Sequence, residues 1–134
     1  MSAPVISGSA AQGVFARWLD LNGIDRPPGR YGYSFGDSGC GFIYFARSES
    51  GSLKIGWSQE PRRRVRMQGI SPVVFVSKQS IYDEGRLHRR LMDFAIGRST
   101  KRPNRAPEWF AHWSPVVSLA FQLANTAREL EVAA

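Results

Sequence analysis

Two runs, Gly41-Phe42-Ile43-Tyr44-Phe45-Ala46-Arg47 and Leu53-Lys54-Ile55-Gly56-Trp57-Ser58, decide how this 134-residue chain is built. Both are rich in β-branched and aromatic residues, and Ser48-Glu49-Ser50-Gly51-Ser52 between them is a cluster of turn formers. That combination predicts a β-hairpin. Strand alternation puts Phe42 and Tyr44 on one face of the first strand and Ile43 and Phe45 on the other. Lys54, Gly56 and Ser58 share a face of the second strand. If the register aligns that face with Tyr44, a phenol and an ammonium meet over a hollow made by the glycine. Just beyond, Pro61 opens a short helix over residues 61–68 with Val65 inward and Arg62, Arg63, Arg64 and Arg66 around it.

Working outward, the stretch 72–77 is an apolar run of strand length, buried on both faces, and supplies a third strand. Residues 82–96 carry the strongest helical pattern, with Leu87, Leu91, Phe94 and Ala95 on one stripe and Arg86, Arg89, Arg90 and Asp93 off it. Upstream, residues 1–8 read as loose and 10–21 as an amphipathic helix, and the lead-in at 31–39 has room for a short edge strand. Downstream, 97–107 reads as a basic surface loop with Lys101, Arg102 and Arg105. Glu108-Trp109-Phe110 reads mainly as a structural lock with both rings in the core. Ser114-Pro115 starts a last helix over 116–130, with Val117, Ala120, Phe121, Ala124 and Ala127 inward. The fold class is therefore α/β (α+β): a small three-stranded antiparallel sheet flanked by helices, with extra N- and C-terminal helices. One domain is expected, with a lead-in over 1–40, a core over 41–113 and a packed helix over 114–134.

Charge narrows the function. The chain has 18 Lys and Arg against 11 Asp and Glu, and 13 of the basic residues but only four of the acidic ones fall between Lys54 and Arg105. A concentrated positive field selects a polyanion, because neutralised phosphates release condensed counterions. Fifteen of the 18 cations are arginine, the side chain that forks onto phosphate and stacks on bases. Arg62, Arg63, Arg66, Arg89, Arg90, Lys101, Arg102 and Arg105 are the expected nucleic-acid contacts. Cys40 is the only cysteine, so neither an intrachain disulfide nor a multi-cysteine zinc site is expected. Without a signal segment or a run of about 20 apolar residues, no membrane partner is expected and the location reads as cytoplasmic.

Glu84 and His88 are four apart on the best helix and project from one side of it. A carboxylate inside a basic region suits a hard cation such as Mg²⁺, whose shell is completed by water and substrate phosphate.

Gly41-Phe42-Ile43-Tyr44, Lys54-Ile55-Gly56-Trp57-Ser58, Pro61 with Arg64, Glu84-Gly85-Arg86-Leu87-His88 and Glu108-Trp109-Phe110, in that order, resemble the GIY-YIG nuclease superfamily. More narrowly, they are similar to its phage and bacterial branch, whose second motif reads Lys-Ile-Gly. The resemblance covers residues 41–110 and implies a DNA endonuclease dependent on Mg²⁺ (or Mn²⁺) that hydrolyses phosphodiester bonds. It implies that Tyr44 works at the attacking water, Arg64 binds the scissile phosphate and Glu84 holds the metal. His88 belongs to the branch's own pattern. Lys54 stands where the superfamily has a second tyrosine; it can hold a phosphate oxygen or depress the phenol's pKa, but it cannot act as a phenol. Such a mechanism needs nearby cations to bring the Tyr44 pKa down from its ordinary value of about 10. A non-catalytic DNA-binding or partner-binding module on the same scaffold is the alternative. A homodimer or a partner protein would supply the specificity that phosphate contacts lack.

Overall fold

The computed structural model describes residues 3–24, 33–96 and 108–133. In chain order the elements are β1 (Val5–Ser7), α1 (Gly8–Leu21), β2 (Gly41–Arg47), β3 (Leu53–Ser58), α2 (Pro61–Met67), β4 (Ser71–Gln79), α3 (Ile81–Arg90), a 3₁₀ turn (Met92–Phe94), β5 (Trp109–Phe110) and α4 (Pro115–Ala133). The three expected antiparallel strands form the middle of a five-stranded mixed sheet in the order β1-β4-β2-β3-β5. The two added strands explain the difference from a three-stranded sheet. β1 runs parallel to β4, so the segment expected to be loose is tied down by a ladder from Val5↔Phe75 to Ser7↔Ser77. β5 pairs antiparallel with β3 through Leu53↔Phe110 and Lys54↔Trp109. The described part of the lead-in, from Tyr33 to Cys40, holds no strand.

Alternation along the strands gives the sheet two unlike faces. Ile6, Ile43, Phe45, Leu53, Ile55, Val74 and Val76 face the main core, where α1, α4 and Leu87 and Leu91 cover them. The opposite face carries a smaller cluster of Ala3, Tyr44, Ala46, Val65 and Phe75 beneath α2. β4 is buried on both faces because each of these two clusters takes alternate residues from it. In α4 the inward stripe is Val116, Leu119, Ala120, Leu123, Ala124 and Ala127, while Phe121 is exposed. The expected stripe is thus rotated: with Leu119 and Leu123 inward, Phe121 turns out, where it takes the Arg47 guanidinium over its ring at 5.6 Å. Trp109 is only half-buried, against the expectation that both rings of its motif enter the core; Phe110 is buried. No helix among the described residues is long and apolar enough to cross a membrane.

One buried polar side chain ties the lead-in to the sheet. Gln79 is fully buried at the end of β4. Its Nε2 donates to the carbonyls of Gly36, Ser77 and Lys78, and its Oε1 accepts from the Tyr33 hydroxyl at 2.6 Å. Burial, and next the charge of Asp83, push the Tyr33 phenol well above its ordinary range, so it stays a donor. Truncating Gln79 strands several buried groups, whereas Tyr33→Phe removes one bond. Urea denaturation should show Gln79→Ala costing about 2–3 kcal/mol and Tyr33→Phe about 1 kcal/mol; equal costs would mean that the amide is not the tie.

Candidate active site

Tyr44 pairs with Phe75 on one side and Gly56 on the other. Its ring lies over Gly56, and a Cβ at that position would overlap the phenol. The aligned register expected from the motif spacing is therefore observed, and the glycine is needed because the ring occupies the space that a side chain would fill. Tyr44 is 2% exposed.

α2 passes over this face with Pro61 and Val65 buried against it. At about 100° per residue, Arg64 and Gln68 fall on one flank of that buried stripe and Arg62 and Arg66 on the other. Gln68 lies 3.2 Å from the Tyr44 hydroxyl. Its carboxamide satisfies every neighbour when its oxygen accepts from Lys54 Nζ at 3.0 Å and Arg64 Nε at 3.2 Å and its amide donates to the phenol oxygen. One amide thus joins the three residues that the motifs single out. Lys54 also stands 3.9 Å from a Glu108 carboxylate oxygen and 5.9 Å from the centre of the Trp109 ring.

The phenol's electrostatics differ from the expected depression. Burial raises the Tyr44 pKa above its ordinary value; hydrogen bonds from Gln68 and Arg64 and the Arg64 charge pull it back, and the Glu84 carboxylate pushes it up. Desolvation wins because the ring is sealed between β4 and β3 while the guanidinium that opposes it sits on an exposed helix flank.

α3 brings the acid and the imidazole. Its N-terminus is closed by a capping box: Asp83 N–H donates to Ser80 Oγ at 3.1 Å and Ser80 N–H to Asp83 Oδ2 at 2.6 Å. Burial alone would raise the Asp83 carboxyl, but the Ser80 backbone, the Arg86 guanidinium at 2.7 Å and the Ser80 hydroxyl outweigh it and hold the group below the ordinary carboxylate range. Asp83 thus does the capping, and Glu84, the next residue, is released from that task. Glu84 and His88 are both buried. The ring of His88 is fixed by a 2.7 Å hydrogen bond from Nε2 to the Ile55 carbonyl. A carbonyl only accepts, so Nε2 is the donor in this bond. A backbone carbonyl behind an imidazole is the usual support of a metal-binding histidine.

Glu84, His88 and Glu108 each offer a ligand atom within 4.8 Å of the others. Two carboxylates and an imidazole fit a divalent cation, and the nitrogen donor suits Mn²⁺ better than a cation that demands oxygen alone. Glu108 is more than the structural lock expected from its motif: its backbone carbonyl accepts from Ile55 N–H at 3.1 Å, which sets its side chain beside Lys54 and the α3 pair. Its sequence signal is isolation, as the one acidic residue between Asp93 and Glu129. Gln68 had a weaker signal, a polar residue four beyond Arg64.

Of the other expected contacts, Arg62 stacks on Phe75 with 4.8 Å to the ring centre, and Arg63 pairs with Glu60 at 3.4 Å. Arg66 and Arg89 are exposed and Arg90 is half-buried on α3. Lys101, Arg102 and Arg105 lie outside the described residues.

Compared with known proteins, the chain matches the T5orf172 domain over residues 41–130. No curated protein and no solved structure matches it. The matched span holds the hairpin, the arginine helix, the Glu84 and His88 helix and Glu108. It leaves β1 and α1 outside. The chain therefore belongs to the T5orf172 domain family, a phage-associated domain found in nuclease-like proteins.

Proposed function

We propose that this protein is a divalent-metal-dependent endonuclease that hydrolyses phosphodiester bonds in DNA through a site of the GIY-YIG type. The observation that carries the reading is the convergence of Tyr44, Lys54, Arg64 and Gln68 on one hydrogen-bonded centre, with Glu84 close enough to act on the phenol. A scaffold kept only for binding has no use for a sealed tyrosine whose hydroxyl is bonded by an amide and a guanidinium and feels the charge of a carboxylate.

In this reading the cation is held by Glu84, with His88 and Glu108 beside it. When bound, it supplies charge that stabilises the oxygens of the scissile phosphate. Arg64 and Lys54 hold the non-bridging oxygens, where negative charge grows as the in-line attack proceeds. Tyr44 receives or orients the proton of the attacking water at its phenol oxygen. Gln68 does two things: it keeps Lys54 and Arg64 turned towards the phenol, and its amide N–H stabilises the phenolate that takes the water's proton. Specificity for a DNA sequence is left to contacts outside this centre, since its groups read phosphate and not bases.

Incubating supercoiled DNA with the protein and Mg²⁺ or Mn²⁺ tests the reading. Tyr44→Phe and Glu84→Gln should each slow cleavage at least about 100-fold. Binding without cleavage by the parent would favour the alternative of a DNA-binding module. The pH profile is a second check. With the phenol pKa raised, only a small phenolate fraction exists near neutrality, so kcat should climb about tenfold per pH unit through the alkaline range, and Tyr44→Phe should flatten that slope.

The metal set can be tested without turnover. Isothermal titration with Mn²⁺ should show Glu108→Gln and His88→Ala each weakening binding about 10- to 100-fold. Unchanged affinity in both would leave Glu84 as the sole protein ligand.

A further inference from the structure

On the far flank of α2 lies a second hollow, separate from the Tyr44 centre. It is a cleft of about 360 Å³ lined by Val5, Phe42, Phe75, Arg62, Arg63 and Arg66, with Glu60 and Pro61 at its end. The sheet register explains its floor. Val5 pairs with Phe75, Phe75 with Tyr44 and Tyr44 with Gly56, so these four form one row across the same face of four strands. α2 lies over the middle of that row. The Gly56 and Tyr44 end of the row meets the Arg64 and Gln68 flank, and the Phe75 and Val5 end meets the Arg62 and Arg66 flank.

We infer that this hollow holds an unstacked nucleobase of the bound strand. The inference rests on the nuclease reading for the position of the phosphate, and it adds a base-binding subsite to a centre that reads only backbone. The occupant follows from the lining. Val5 and Phe42 beside the Arg62 guanidinium, itself backed by the Phe75 ring, take a flat apolar face, while three arginines at the rim require negative charge attached to it. A nucleotide joins the two, and an apolar peptide does not. Arg62 is already arranged for stacking: its guanidinium lies over Phe75 and its Nη2 donates to the Ala3 carbonyl at 3.3 Å, so the plane is fixed by one face and one edge. Bases stack on guanidinium planes as well as on aromatic rings. The volume lies within the range of pockets that enclose a small ligand. β1 supplies Val5, which gives the strand preceding α1 a role in binding. A duplex keeps its bases stacked and cannot fill the hollow, so single-stranded or branched DNA is the class of substrate selected.

The test uses the whole chain in EDTA, where no cleavage occurs, and compares a short single strand of oligothymidine with an abasic strand of equal length. Fluorescence anisotropy should show the thymidine strand bound about tenfold more tightly, the worth of stacking one base. Val5→Trp fills the hollow from an edge position that is 39% exposed, and should abolish that preference while the abasic strand binds as before. Arg66→Ala should weaken both strands alike. Phe42→Leu, which keeps the apolar volume and removes the ring, should reduce the preference if Val5→Trp does not fold. Equal affinity of the parent protein for the two strands, or a preference that survives in both Val5→Trp and Phe42→Leu, overturns the inference. Failure of the nuclease reading is separate: it appears as absent cleavage in Mg²⁺ and Mn²⁺ with the base preference intact.

Discussion

The contact on which the rest depends is a phenol ring laid across a glycine. Tyr44 and Gly56 face each other in register, and the ring takes the place of the missing side chain. This sets the height of the hydroxyl above the sheet, and with it which elements can reach it. α2 can approach because Val65 and Pro61 pack on the small residues around the ring. α3 can approach because His88 is fastened to the carbonyl of Ile55, the residue before that glycine. A single strand position thus sets the distance from the phenol to the arginine helix and to the acid.

The same contact has an electrostatic cost. Sealing the ring between strands removes water from the hydroxyl, and its pKa rises even with Arg64 and Gln68 bonded to it. The balance shows why a neutral amide is useful there. Its oxygen accepts from both cations while its N–H group donates to the phenol. Gln68 therefore gathers Lys54 and Arg64 without adding charge, and leaves their positive potential for an incoming phosphate.

How far the site was legible follows from where each residue's signal lies. The Tyr44 and Gly56 alignment could be read because alternation and hairpin length fix the register locally. Glu84 could be read because it stands four residues before His88 on the strongest helical pattern. Gln68 and Glu108 could not be read in the same way. Their roles come from tertiary approach, one from the pose of α2 on the sheet and the other from the two-residue strand β5. A strand that short has too little sequence to announce itself, and its pairing with Leu53 and Lys54 depends on a chain reversal far along the sequence. β1 was missed for the same reason: three residues of a parallel edge have no hairpin partner to mark them. The inward stripe of α4 was rotated because Leu119 and Leu123 together bury more surface than Phe121, which the pattern of aromatic residues had favoured.

Lys54 is where these strands of argument meet. Its surroundings are built for an ammonium: an amide oxygen at 3.0 Å, a carboxylate at 3.9 Å and an indole face at 5.9 Å. A tyrosine there would remove the ammonium that stands 3.9 Å from the Glu108 carboxylate. With lysine, the site holds its two carboxylates apart from self-repulsion by a cation on one side, and the same cation bridges through Gln68 to Tyr44. The lysine therefore goes together with Glu108 and Gln68. A lysine, a glutamate and a glutamine form one compensated set, and a tyrosine at position 54 would require all three contacts to be rebuilt.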